Sequence, residues 1–138
     1  LSRTGAIAIE ARALPAAPAE PVTIAVAPRP VSADDFRLRH KTSDRAFHDE
    51  ARRAAGTFEL LFTDAGGFLT EGSFTSLFVE RDGMLLTPPL SRGLLAGVLR
   101  ESLIDHGRAR EADLRLEDLA APFYIGNAVR GLIAARLA

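Results

Sequence analysis

Lys41 is the only lysine among 138 residues, and every one of the other sixteen cationic side chains is arginine. A desolvated lysine amine can lose its proton and attack a carbonyl to form a Schiff base, which a permanently charged guanidinium cannot do. The residue type therefore marks Lys41 as a candidate nucleophile; the alternative is a lone surface lysine in an arginine-rich composition. Three further places carry chemistry of a compatible kind. Glu71 lies between Thr70 and Gly72 in an otherwise apolar stretch, where a carboxylate either holds a protonated ring nitrogen or simply faces solvent at a strand end. The run Gly93-Leu94-Leu95-Ala96-Gly97-Val98-Leu99-Arg100 puts glycines ahead of a helix, whose free N–H groups make an anion seat suited to a phosphate; glycine there also serves as a plain turn. Gly126-Asn127-Ala128 follows a strand end, where Asn127 either completes the same seat or forms a turn. Histidines 40, 48 and 106 read as ordinary helix or loop residues.

Amine, carboxylate and two anion-seat loops are together the inventory for holding pyridoxal phosphate: amine at the aldehyde, acid at the ring nitrogen, amides at the phosphate. The elements that must position them follow from periodicity and punctuation. Gly5 to Ala11 alternates like a strand and runs into a proline-bearing connector over 14–21; Val22 to Ala27 reads as a second strand, stopped by Pro28 and Pro30. Thr42 or Ser43 is the expected cap of a helix to about Ala55, with Asp44 in its first turn and Arg52 and Arg53 in its last. Lys41 is thus expected just ahead of a helix start. Gly56 ends that helix; strands follow over 58–63, 68–73, 76–80 and 84–87, with turns at 64–67 and 81–83. A second helix is expected from Val98 to about His106, with Leu99, Leu103 and Ile104 on one face, then strands over 108–114, 123–125 and 131–137 and a short helix at 116–119. Strands outnumber helices and pair mostly as hairpins, which predicts an α+β or mixed α/β fold without the regular βαβ alternation.

With 47% apolar and 25% charged residues the chain has the composition of one globular domain, and a net charge of −1 with arginines interspersed among acids leaves no basic face for nucleic acid. The absence of cysteine excludes disulfides and thiolate metal sites, and three scattered histidines argue against a metal centre. No apolar run reaches membrane-spanning length and no signal-peptide pattern opens the sequence, so a cytoplasmic location is expected. The first residue is Leu1 and the only methionine is Met84, which suggests a piece of a longer protein.

Three segments in this order, HKTSDR, then FLTEGSFTSLFVERDGMLLTPPLSRGLLAGVLRE, then YIGNAVRGL, resemble the class IV aminotransferase superfamily of pyridoxal-phosphate enzymes. The nearest branch is the 4-amino-4-deoxychorismate lyases, particularly the lyase module fused behind para-aminobenzoate synthase component I. The resemblance implies the larger C-terminal domain of the D-amino acid aminotransferase-like fold, a pseudo-barrel of strands with surrounding helices, over 36–138, with 1–35 leading out of a small N-terminal domain that is mostly missing. It implies that Lys41 is the catalytic lysine, that Glu71 pairs with the pyridinium nitrogen and that Leu95 packs on the ring face. Gly97, Val98 and Leu99, with Asn127 and Ala128, would hold the phosphate, and Arg130 would meet a substrate carboxylate. It further implies aminodeoxychorismate as substrate, a homodimer and a role in folate biosynthesis. Two positions depart from the pattern: Ser76 stands where the family usually has asparagine, and His48 where fused relatives tend to carry tyrosine. The alternatives are a branched-chain or D-amino acid aminotransferase using the same residues, and a non-catalytic domain serving assembly within a synthase.

Overall fold

The computed structural model describes residues 5–14 and 16–138; Leu1 to Thr4 and Pro15, which fall in the expected leader and connector, lie outside the described residues. The expected first strand is overturned. Residues 5–11 take no regular structure, and Ile7 and Ile9 are 73% and 93% exposed. Apolar alternation makes a strand only when another strand satisfies its N–H and C=O groups, and no strand of the described residues pairs with this one.

The order of elements is β1 (Val22–Pro28), α1 (Ala46–Ala55), β2 (Glu59–Thr63), β3 (Leu69–Gly72), β4 (Ser76–Arg81), β5 (Met84–Thr87), α2 (Val98–Asp105), β6 (Ala109–Glu111), β7 (Phe123–Asn127) and β8 (Gly131–Leu137), with short 3-10 turns at Phe36–Leu38, Leu90–Arg92 and Leu116–Ala120. The strands form one sheet in the order β3-β2-β1-β8-β7-β4-β5-β6, and a further pairing of β3 with β4 closes the first six of these into a ring. This is a mixed α/β barrel-like sheet with few helices. The hairpin pairings β2–β3 and β4–β5 are antiparallel as expected, and β7–β8 is antiparallel too, but β1 runs parallel to both β2 and β8, and β5 runs parallel to β6. Residues 22–28 therefore lie inside the sheet, not at its margin.

Local chemistry explains the tightest joints. The β4–β5 turn has Asp82 at φ 53° and Gly83 at φ 74°, the two left-handed residues that a two-residue hairpin needs to match strand twist. At the β2–β3 turn the Asp64 carboxylate accepts the N–H groups of Gly66 and Phe68, and the Phe68 ring is sandwiched by the Arg92 and Arg115 guanidiniums at 3.7 and 3.8 Å. The core gathers Ile24, Leu61, Leu69, Leu77, Val79, Ile125 and their neighbours inside the sheet, while Phe78, Leu103 and Ala109 form a second cluster with Leu99 and Ile104 packed on it. That second cluster is the expected apolar face of α2. Fully burying side chains such as Phe78 or Ile125 contributes roughly 1.5–3 kcal/mol each, enough to hold α2 and its N-terminus against the barrel wall.

Helix α1 begins later than Thr42 or Ser43. Its N-cap is Arg45, with no side-chain cap bond, and Asp49 instead of Asp44 occupies the first turn. Asp35 has taken the capping role one segment earlier, accepting the Arg37 N–H at 2.9 Å and the Arg37 guanidinium at 2.7 Å. Arg52 and Arg53 do sit in the last turn, and Gly56 at φ 67° closes the helix. Lys41 consequently lies on an irregular loop ahead of the helix. That loop is anchored by Leu38, fully buried, and by Arg37, whose guanidinium lies 4.7 Å from the Phe47 ring centre.

Candidate active site

Barrel closure creates the site. The only registered pair joining β3 to β4 is Glu71 with Ser76, and the connection between them, residues 72–75, turns back so sharply that the Gly72 N–H donates to the Thr75 carbonyl at 2.8 Å. Around this closure lies a cleft of about 160 Å³. Three other segments meet there: the loop and first turns of 37–48, the approach to α2 at 95–99, and the β7–β8 connection at 127–129.

The sequence-predicted residues Lys41, Glu71, Leu95, Gly97, Val98, Leu99, Asn127 and Ala128 all line this one cleft. Arg130 does not; its backbone N–H instead donates to Asn127 Oδ1 at 3.0 Å, helping to hold the turn. Lys41 is exposed to the cleft opening. Glu71 is buried, and the Leu95 N–H donates to its Oε2 at 3.1 Å. Burial pushes the Glu71 carboxyl up to about 7, and the nearby Glu59 charge pushes the same way, while the Leu95 N–H, Arg29 and Arg45 pull it down. A carboxyl so placed sits at the boundary between its two protonation states at neutral pH and is ready to meet a cationic ligand group.

Gly97 is the N-cap of α2, so the following N–H groups lack intrahelical acceptors. A Cβ on Gly97 would stand 2.9 Å from Ser76 Oγ; glycine is what permits the helix start to approach β4 this closely. The approach is braced from behind. The Arg29 guanidinium donates to the carbonyls of Arg92 and Gly93 at 2.9 and 2.6 Å, and buried Arg100 binds the Pro88 carbonyl at 2.9 Å and the Glu111 carboxylate. Opposite, the Asn127 amide spans the cleft floor: Nδ2 donates to the Phe74 carbonyl at 3.2 Å while Oδ1 accepts from Val129 and Arg130 at 3.0 Å each. Gly126 beside it has no room for a side chain, since a Cβ would lie 2.4 Å from the Gly131 carbonyl oxygen.

Sequence reasoning missed several lining residues, among them Arg45, Phe47 and the Ser73 to Thr75 connection; Ser76 and His48, noted only as departures from the family pattern, line the cleft as well. His48, read as an ordinary helix residue, is buried against Phe62 and Phe47, with ring centres 5.4 and 4.0 Å away. Burial, with the Arg45 charge second, pushes its pKa down to about 4, so the imidazole is neutral at physiological pH. Its place next to the apolar Phe47 near the start of α1 was the available signal.

The chain matches relatives on both sides of one enzymatic divide. It is 26% identical over 119 residues to the "Putative aminodeoxychorismate lyase" of Schizosaccharomyces pombe, covering 82% of this chain and 52% of the relative. It is 34% identical over 71 residues to the branched-chain-amino-acid aminotransferase of Escherichia coli K12, covering 51% of this chain and 23% of that protein. Among solved structures, a "Putative amino-acid aminotransferase" from Mesorhizobium loti superimposes with a TM-score of 0.82 at 38% identity, over 90% of this chain and 63% of the other. The "Putative 4-amino-4-deoxychorismate lyase" of Legionella pneumophila gives 0.78 at 22% identity, over 88% and 50%, a likeness of fold. The chain thus spans about half the length of the S. pombe relative and less of the E. coli one. Because the amino-transferase class IV model matches residues 1–137, nearly the whole chain, this protein belongs to the class IV aminotransferase family, whose enzymes depend on pyridoxal phosphate.

Proposed function

We propose that this chain forms the cofactor-binding part of a pyridoxal-phosphate-dependent 4-amino-4-deoxychorismate lyase, releasing para-aminobenzoate and pyruvate, within a para-aminobenzoate synthase fusion that works as a homodimer. The observation that carries the reading is the meeting of Lys41, Glu71, the Gly97 to Leu99 helix start and Asn127 in one cleft, together with the aminodeoxychorismate lyase relative aligned over 82% of the chain. The residues fit the cofactor. Gly97 leaves a cradle that a Cβ would fill, Val98 and Leu99 open α2 beyond it, and Glu71 offers a buried carboxyl whose elevated pKa suits sharing a proton with a ring nitrogen.

Pyridoxal phosphate, when bound, supplies an aldehyde that captures an amine and a ring that withdraws an electron pair from the neighbouring carbon. Lys41 would hold the aldehyde end and would take the proton from the carbon that bears the substrate amine. The C–O bond to the enolpyruvyl group then breaks, the ring becomes aromatic, and the departing enolpyruvate takes up a proton to become pyruvate. Glu71 would keep a proton at the ring nitrogen, the Leu95 N–H fixing the direction of its carboxyl. The N–H groups of Val98 and Leu99 would bind the phosphate from one side, with Asn127 and Ala128 on the other. Arg130 acts from outside the cleft, through the turn it helps to close.

A second reading, a branched-chain or D-amino acid aminotransferase, draws its support from the 38% identity to the M. loti aminotransferase. The two separate in one assay on the full-length protein. Given aminodeoxychorismate and no keto acid, a lyase releases para-aminobenzoate and pyruvate in equal amounts. An aminotransferase releases neither, and turns over only when a keto-acid acceptor is added.

A further inference from the structure

The acid that organises the cleft is not in it. Glu59, at the start of β2, is fully buried and is not among the cleft-lining residues, yet nearly every hydrogen bond it makes goes to the connection that lines the cleft. Its Oε1 accepts from the Ser73 N–H at 2.9 Å, the Ser73 hydroxyl at 2.5 Å and its own neighbour Leu60 N–H at 2.8 Å. Its Oε2 accepts from the Phe74 N–H at 3.1 Å and the Thr75 hydroxyl at 2.7 Å. Taking a carboxylate out of water costs several kcal/mol and is tolerated here because charge-assisted bonds fill both oxygens. The same connection faces outward with its carbonyls: Arg45 donates to Ser73 O at 2.5 Å and Asn127 Nδ2 donates to Phe74 O at 3.2 Å. With its N–H groups gripped from behind, the connection aims its carbonyls at the α1 side and the β7–β8 side of the cleft at once. Gly72 completes the fit, since a Cβ there would lie 2.7 Å from Glu59 Oε2 and 2.5 Å from Thr75 Oγ1.

We propose that Glu59 is the positioning residue of this cleft: through the Ser73 to Thr75 connection it sets, from behind the wall, where Arg45 and Asn127 stand and hence the shape offered to the cofactor. This rests on the pyridoxal-phosphate reading given above. It also adds a charge behind Glu71, which is faced by Arg29 and Arg45 as cations, by the Leu95 N–H, and by Glu59 as an acid.

The test is Glu59→Gln in the 138-residue chain. Whichever way the new amide is turned, its NH2 meets the Phe74 N–H on one side or the Ser73 and Leu60 N–H groups on the other, so at least one backbone donor loses its acceptor. Amide exchange at Phe74 or Leu60 should accelerate about tenfold, Ser73 keeping the Leu60 carbonyl as a second acceptor at 3.0 Å, and pyridoxal phosphate should bind about tenfold more weakly, the usual scale for a lost charged hydrogen bond. The Glu71 carboxyl, followed by carbon NMR without cofactor, should titrate at lower pH because a negative charge behind it has gone; general loosening hydrates Glu71 and moves it the same way, so location decides: faster exchange confined to the Leu60 and Ser73 to Thr75 amides supports positioning, and faster exchange throughout the chain overturns it. Unchanged exchange, or faster exchange with unchanged cofactor affinity, overturns the proposal. Should the variant fail to fold, Ser73→Ala removes one hydroxyl donor and keeps the backbone; a several-fold loss of affinity supports the proposal and an unchanged affinity overturns it. If the 138-residue chain takes up no pyridoxal phosphate but the full-length protein does, affinity is read in the full-length protein; if neither does, the functional reading fails instead, and Glu59 is judged by amide exchange and by the Asn127 side-chain NH2 signals alone.

Discussion

Replacing Glu71 by glutamine should make the cofactor-free chain more stable, and by an amount that depends on pH. The glutamine keeps an oxygen for the Leu95 N–H and removes a charge that burial disfavours. A carboxyl raised from 4.5 to about 7 in the folded chain ionises at a cost of about 3 kcal/mol, taking roughly 1.4 kcal/mol per pH unit. The sign follows from the direction of the shift: a group whose pKa rises on folding lends its stability below the unfolded value, near 4.5, and loses it as pH climbs through about 7. The difference in unfolding free energy between Glu71→Gln and the unaltered chain should be near zero at pH 4.5 and should reach about 3 kcal/mol by pH 8. Urea unfolding across that range reads it directly. The difference, not the parent curve, is the quantity to follow, because His48 pulls stability the other way over part of the same interval. A difference that stays flat with pH would refute the claim that Glu71 is held in the cleft at the expense of stability. That claim matters for function, because a ligand bringing a protonated nitrogen to Glu71 recovers what ionisation costs, so the site is poised for such a ligand.

Two further outcomes test the frame around the site. Gly126→Ala should lower stability by about 2 kcal/mol, seen as a melting temperature about 8 °C lower, because its Cβ would lie 2.4 Å from a backbone oxygen of the β8 start and 2.9 Å from Leu99; an unshifted melting curve would show that the β7–β8 turn has slack. His48 should remain neutral at pH 5.5 by nitrogen NMR, since burial holds its pKa near 4, with folded stability falling as pH drops from about 6.5 toward 4; a charged imidazole at pH 5.5 would contradict its packing against Phe62.

Punctuation residues were legible in the sequence because their conformations are locally determined. Asp82-Gly83 supplies the left-handed pair of the β4–β5 turn and Gly56 the left-handed end of α1, and both turn up where composition placed them. The apolar spacing of Leu99, Leu103 and Ile104 likewise survives as the packed face of α2. What depends on distant partners was not legible. The alternation of residues 5–11 looks like a strand, but no strand among the described residues pairs with it, and Thr42 and Ser43 look like caps until Asp35 and Arg37 lay down the preceding loop differently. Closure of the ring at Glu71 and Ser76 is a matter of register across separate hairpins. Glu59 is the sharpest case: within the expected strand over 58–63 nothing in its neighbours Leu60, Leu61 and Phe62 marks it, and only the folded connection from Ser73 to Thr75 shows why an acid is buried there. Lys41, Glu71, Gly97 and Asn127 were singled out by residue type, whereas Leu95, Val98, Leu99, Ala128 and Arg130 came from the resemblance to class IV aminotransferases; all but Arg130 line the cleft.

Everything proposed for this cleft turns on the Lys41 amine carrying the cofactor. Since Lys41 is the only lysine, sodium borohydride reduction of the pyridoxal-phosphate-loaded chain, followed by peptide mass spectrometry, has one side-chain target. The account predicts a pyridoxyl group on the peptide containing Lys41 and none anywhere in Lys41→Ala. Label confined to the N-terminal amine, or a loaded chain whose Lys41 stays unmodified, would contradict it.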